Sequence, residues 1–178
     1  MAGFQDRVIG AMKLQASVFE EVEHDTTAMG QAAAVVALAS VSSGIAFIAY
    51  GGVSGVLAGT VWALVWWALF AGLMWIIGTK VMPGRNTQAD LGQLLRTMGF
   101  AQAPGLFAFI AVIPLLGWLV WLAIVAWSMA ATVVAVRQAL DYDDTWRAVV
   151  AVILAVVVAM ILTFVFALMS GLRSAVVS

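Results

Sequence analysis

LLRTMGFAQAP, residues 94–104, marks the point where the longest polar segment of the chain gives way to a hydrophobic one. It gathers Arg96, Gly99, Gln102 and the helix breaker Pro104 at what should be a membrane surface. A plain span needs only about 20 apolar residues, so hydrophobicity alone does not call for this set. On the N-terminal side of it the sequence holds two apolar segments, and from it onward three more. The chain has 178 residues, 65% hydrophobic and 10% charged, with a mean hydropathy of +1.09. Soluble domains carry roughly 25% charged residues. The sequence therefore predicts an all-α integral membrane protein, a bundle of five spans over residues 28–50, 53–79, 100–116, 118–136 and 148–170.

Residues 1–25 form a different pattern. Phe4, Val8, Ala11, Met12, Val18, Phe19 and Val22 fall on one stripe at helical spacing, opposite Asp6, Arg7, Lys13, Glu20, Glu21 and His24. The segment reads as one amphipathic helix lying in the interface or packed under the spans, and as too charged for a cleavable signal peptide. Its acidic end, FEEVEHD (19–25), disfavours anionic lipid and fits contact with protein. Asp25 or Thr26 is placed to cap the first span.

Gly51, Gly55 and Gly59 share one side of the second span, and this spacing predicts close helix packing there, within the bundle or between protomers. Trp62, Trp66, Trp67 and Trp75 follow in the same span, two of them too deep for a headgroup belt, so they read as packing residues. In the polar loop Pro83 and Gly84 mark a turn. Thr87 and Asp90 resemble a capping box for a short surface helix with Leu91, Leu94, Leu95 and Met98 on one side. On that helix Arg96 would face headgroups or a protein acid, bracing the loop against the aspartates at 141–144. The third span, with Pro104 and Pro114, covers only roughly 25 Å as an α-helix, short of a ~30 Å hydrocarbon core.

Between the last two spans AVRQALDYDDTWRAV (135–149) places Arg137, Asp141, Tyr142, Asp143, Asp144 and Arg147 close together. A calcium loop spreads its ligands over twelve residues with a central glycine, which this segment lacks. Helix capping and pairing with Arg137 and Arg147 explain the aspartates without a metal. Seven of the eight basic residues fall on one side of a five-span chain. The positive-inside rule then puts the N-terminus in the cytoplasm and the C-terminus outside.

LLRTMGFAQAP, AVRQALDYDDTWRAV and the FEEVEHD element together resemble the Ypt-interacting protein (Yip) family as it occurs in bacteria, over essentially the whole chain. The resemblance implies a single membrane domain over 1–178, five spans, a cytoplasmic N-terminus and residence in a bacterial cytoplasmic (inner) membrane. Eukaryotic relatives are associated with Rab-type GTPases and vesicle traffic. Their long N-terminal cytosolic region is here about 25 residues, which argues against GTPase binding.

Catalysis finds little to work with. There is one histidine and no cysteine, and no phosphate-binding loop, zinc motif or nucleophile elbow occurs. The expectation is no enzyme, no cofactor and no metal. The near-neutral balance of 8 basic and 9 acidic residues leaves no basic face for nucleic acid. Coupled transport would need ionisable groups inside the spans, and none lies away from their ends. A small-solute path near the proline-broken third span remains as an alternative, lined by Ser40, Ser42, Ser43, Gln102, Ser128 and Thr132, with Pro104 beside it. The first expectation is a membrane adaptor or organising protein. It would meet lipid and a protein partner, or a second copy of itself, through Phe4, Phe19, Glu20, Glu21, Arg96, Arg137, Asp141, Tyr142 and Arg147.

Overall fold

The computed structural model describes residues 3–177 except 47, 86 and 114, and gives only the backbone of residues 49, 50 and 170–177. The expectation for Pro114 thus lies outside the described residues. Among the described residues every regular element is helical. Five segments are long and apolar enough to cross a membrane: Thr26–Ala46, Gly51–Val81, Leu91–Val112, Gly117–Ala139 and Thr145–Met169. The chain is a five-span helical membrane protein.

The N-terminal segment is not one helix. α1 (Phe4–Met12) and α2 (Ala16–His24) form a hairpin, broken where Leu14 takes φ 57°. The amide of Gln15 closes the turn by donating to the carbonyl of Gly10 at 3.0 Å. Gly10 lets the two helices approach, since a Cβ there would lie 2.5 Å from the Val18 side chain. Folding back lets Val8 and Ala11 of one helix and Phe19 and Val22 of the other enter the same core as Phe100, Ala103, Ala131 and Ala135. A straight helix would leave half of this surface wet.

Asp25 caps the first span, its Oδ1 accepting the Thr27 amide at 2.9 Å. α3 (Met29–Ala46) follows. α4 (Ile48–Ile76) begins across a bend at Gly52, whose φ of 59° and ψ of −168° are accessible to glycine alone without strain, and ends in a π turn, Ile77–Val81.

The third span differs from expectation. α5 (Leu91–Phe100) is largely buried and continuous with the segment that follows, so the apolar stretch runs over Leu91–Val112. Its capping box is Asp90 with Gln93, one step beyond Thr87. The Thr87 hydroxyl instead donates to the carbonyl of Leu140 at 2.6 Å and accepts from the Gly84 amide. Pro104 lacks the N–H that would continue α5, so the chain passes into a 3-10 helix, Ala103–Val112, with the proline in its first turn where no donor is needed. Ten residues are long for that conformation. Its ~2.0 Å rise per residue makes up the length that an α-helix from residue 100 would lack.

α6 (Gly117–Ala139) and α7 (Thr145–Val177) complete the bundle. α3 packs on α4 and on both halves of the third span, which packs on α6; α6 packs on α7, and α7 on α4. The five spans therefore form a ring. The side that carries α1, α2 and the loops at 82–90 and 140–144 is termed the N-terminal face, and the opposite side the distal face. Buried residues concentrate in the half nearest the N-terminal face, including Ala71, Met74, Leu94, Met98, Val136, Leu140, Ala148 and Val152. Outward-facing aliphatic and aromatic residues along α4, α6 and α7 are exposed, as a lipid-facing surface requires.

Close packing runs between spans one and three. A Cβ at Gly99 would meet Ala32 at 2.7 Å and its backbone at 3.1 Å, and one at Gly105 would meet the Ala39 Cβ at 3.0 Å. Farther along, Ser42 donates to the carbonyl of Leu106 at 2.9 Å and accepts the Phe109 amide at 3.0 Å. Gly51, Gly55 and Gly59, by contrast, are exposed, and a Cβ at any of them would have nothing within 4 Å. The intrachain packing expected of them is absent, because α4 turns that side outward. Gly99→Ala should cost about 1–3 kcal/mol through overpacking against backbone, and Gly99→Leu should prevent folding. Gly55→Leu should leave yield and melting in detergent unchanged. Equal sensitivity at the two positions would remove the assignment of the close contact to spans one and three.

Candidate functional site

Two buried arginines hold the N-terminal hairpin to the bundle. Arg7 is 2% exposed. It donates to Glu21 at 2.9 Å, Asp25 at 2.6 Å and Gln31 at 3.1 Å, tying α1 to α2 and to the first span, while its Nε has no partner. Burial acts to weaken the Arg7 charge, but the two carboxylates reverse this and raise its pKa. Hydrogen bonds from Thr27 and Arg7 hold the Asp25 carboxyl down at about 2.

Arg96 is 5% exposed, and its hydrogen bonds go to backbone carbonyls. Its Nε donates to the carbonyl of Val22 at 3.0 Å and its Nη2 to that of Glu23, the last turn of α2. Cations suit a helix C-terminus, where carbonyls lack intrahelical partners. The expected brace to the aspartates at 141–144 is replaced by this contact. Beside it Gln93 donates to Glu23 at 3.1 Å. Glu23 is only 4% exposed, and burial pushes its carboxyl up to about 7.

The loop at 140–144 closes on Arg137. Its Nε donates to the carbonyl of Tyr142 at 3.3 Å, Nη2 to that of Asp143 at 3.2 Å, and Nη1 to the Thr145 hydroxyl at 3.0 Å. Asp141 stands at the tight corner with φ 51°, and the carbonyls after it turn toward the arginine. This geometry displaces the Asp–Arg pairs expected from sequence. Tyr142 is buried, its hydroxyl donating to the carbonyl of Met82 at 2.7 Å, and burial raises its pKa. Arg147 is half-buried, and its amide donates to the carbonyl of Asp144.

These groups line a groove of about 390 Å³ on the N-terminal face, formed by Glu20, Glu23, Arg137, Gln138, Asp141, Tyr142 and Asp143. Gln138 donates to Glu20 across it at 3.1 Å. Of the contact residues read from sequence, Glu20, Arg137, Asp141 and Tyr142 come together here. Phe4 stands apart on α1, partly exposed, and Glu21 pairs with Arg7. Phe19 is wholly buried in the core, so it offers nothing to a partner. Glu23 escapes a reading of the sequence because a single 25-residue stripe does not show which acid the hairpin covers.

A second space lies inside the ring. A cavity of about 940 Å³ is lined by all five spans, and Ser40, Ser43, Gln102, Ser128 and Thr132 face it. Ser42 does not, being held by the third span. Pro104 is buried beside the cavity rather than lining it. No cluster of His, Asp or Glu able to hold a metal occurs among the described residues.

The Yip1 domain model matches residues 10–167, from within α1 to the far part of α7. The chain belongs to the Yip1 domain family. No curated protein and no solved structure matches it. The Yip1 family comprises membrane proteins linked to trafficking and membrane organisation and is not a known enzyme family. The matched region includes α2, Arg96 and the Arg137 loop, so the parts that build the groove fall within the Yip1 domain.

Arg96→Ala should destabilise the protein by about 1.5–3 kcal/mol, the value of hydrogen bonds from a charged donor, read as a lower melting temperature in detergent; unchanged melting would show that α2 is held by other contacts. Stability should also fall with pH. The Glu23 carboxyl titrates above its ordinary 4.5 in the fold, so its contribution is present below that value and lost as pH rises through about 7. His24, raised chiefly by the Glu20 carbonyl, acts in the same direction but is exposed. Melting measured from about pH 5 to about pH 8 should fall, and Glu23→Gln should flatten the fall where His24→Gln does not. A Glu23→Gln profile as steep as the parent's would show that another group titrates.

Proposed function

We propose that this Yip1-family protein is a non-enzymatic membrane adaptor whose N-terminal face is cytoplasmic and takes a basic segment of a protein partner. The groove carries the reading. Glu20, Asp141 and Asp143 are exposed around it and Glu23 lies beneath, while Arg137 is engaged by the loop it closes. An excess of carboxylates attracts lysine and arginine side chains and repels anionic headgroups. That favours protein over lipid as the occupant. The seven-to-one distribution of basic residues in the sequence supports the orientation. The rigid setting supports docking too, since Arg7 and Arg96 fix α2 and Arg137 fixes the loop, so little ordering cost attaches to binding.

The alternative, passage of a small solute, is favoured by the cavity that collects five of the hydroxyl and amide residues read as a path. The packed layer of Met74, Leu94, Met98, Val136 and Val152 at the N-terminal half closes that space on one side and opposes a continuous conduit.

A photo-crosslinking residue at position 138 in intact cells should give one protein adduct in stoichiometric amount. Replacing Glu20 and Asp143 by lysine should cut that adduct at least about tenfold, as expected for close charge pairs, with melting retained. The same adduct at full yield from the charge-reversed protein, or adducts only with lipid and with itself, would overturn the adaptor reading.

A further inference from the structure

We infer that the cavity inside the ring is a binding site for an uncharged, hydroxyl-bearing lipid of the diacylglycerol type. This concerns the distal half of the bundle and does not depend on the docking groove. Its volume, about 940 Å³, falls at the upper end of the ~300–1,000 Å³ of ligand cavities. Counting at ~1.5 Å per residue from the ends of the spans at the N-terminal face, Gln102 and Ser128 lie roughly 16 Å deep and Ser40 roughly 20 Å. They stand about midway along their spans.

Three observations select the occupant. First, the side chains of Ser40, Gln102 and Ser128 make no hydrogen bond within the described protein, although Ser43, Thr132 and Thr163 beside them donate to carbonyls of their own helices. An unpaired amide or hydroxyl away from water costs several kcal/mol, so the three call for a ligand that both donates and accepts. Second, no charged residue lines the cavity. A phosphate brought there would lose its hydration without a cation to replace it, which excludes phospholipid headgroups. Third, the remaining walls are almost wholly apolar, and Trp66, Trp121, Met160 and Phe164 at the distal end are exposed. The packed layer closes the N-terminal end, so entry is from the distal half of the bilayer. A small hydroxyl and ester head on a hydrocarbon body meets all three conditions. The head sits against Gln102 and Ser128, and the chains pass out between the aromatic residues.

The test uses the full chain in phosphatidylcholine vesicles with two photoreactive probes at equal mole fraction, a diazirine diacylglycerol and a diazirine phosphatidylcholine. The diacylglycerol should label cavity-facing residues of α6 and α7, saturably, and excess unlabelled diacylglycerol should remove the signal. Phosphatidylcholine should label only outward-facing positions. Gln102→Leu should lower the saturable labelling about fivefold, in line with the loss of a hydrogen bond. If that variant does not fold, the Ser40→Ala and Ser128→Ala double variant should lower it in the same direction. Labelling that is not competed, that survives undiminished in the variants, or that phosphatidylcholine matches at the same residues would overturn the site and leave ordinary acyl chains as its filling.

Discussion

The approach of the third span to the first is the contact on which the other features rest. Helices in lipid gain nothing from hiding apolar surface from one another, so association depends on close van der Waals fit. Gly99 against Ala32 and Gly105 against Ala39 supply that fit. Between the two glycines lies Pro104, which ends α5 and starts the 3-10 segment. The change of helix type thus occurs where the backbone is clamped to its neighbour. It places Arg96 one turn above the clamp, within reach of the end of α2, and Gln102 between its two glycines, facing the interior of the ring.

The two halves of the bundle follow different physics. Near the N-terminal face the spans pack through alanine and larger aliphatic residues, and the hairpin is held by arginines whose charges are met by carboxylates or by helix-end carbonyls. Removing the Arg96 guanidinium would leave the buried carbonyls of Val22 and Glu23 unpaired, and removing that of Arg7 would leave two neighbouring carboxylates without their cation. Toward the distal face α4, α6 and α7 present exposed side chains and their inner sides border the cavity. The site for a water-borne partner and the site for a bilayer-borne ligand are thereby separated by the packed layer.

Much of this is legible in the sequence, for reasons that also explain the rest. Five spans follow from hydropathy, because the bilayer enforces long apolar helices. The cap at Asp25 and the polar residues of the interior follow from local chemistry. The hairpin does not, since the stripe of residues 4–22 satisfies one helix as well as two, and only the left-handed Leu14 separates them. The glycines show the same limit. Gly51, Gly55 and Gly59 have the spacing associated with close packing and face outward, whereas Gly99, outside that repeat, lies against the backbone of Ala32. What decides a close approach is the size of the residue opposite, here Ala32, and sequence spacing carries no record of it. Arg7 reads as part of a solvated face because its partners, Glu21 and Gln31, come from elements that the turn at residues 13–15 brings back to it.

The polar groups within the spans complete the argument. A bilayer offers no water to a hydroxyl or amide, so each must find a partner in the protein. Ser43, Thr60, Thr79, Thr97, Thr132 and Thr163 donate to carbonyls of their own helices. Ser42 bridges to the third span, and Gln31 receives Arg7. Ser54, near the distal end of the second span, is exposed and makes no hydrogen bond within the described protein, and deeper in the spans Ser40, Gln102 and Ser128 also stand outside this pattern. The last three come from three different spans, yet all three border the same cavity. Chance placement of unpaired groups would scatter them over the lipid surface as readily. Their convergence on one cavity, in a half of the bundle that does not close on itself, is what a bound polar group would require.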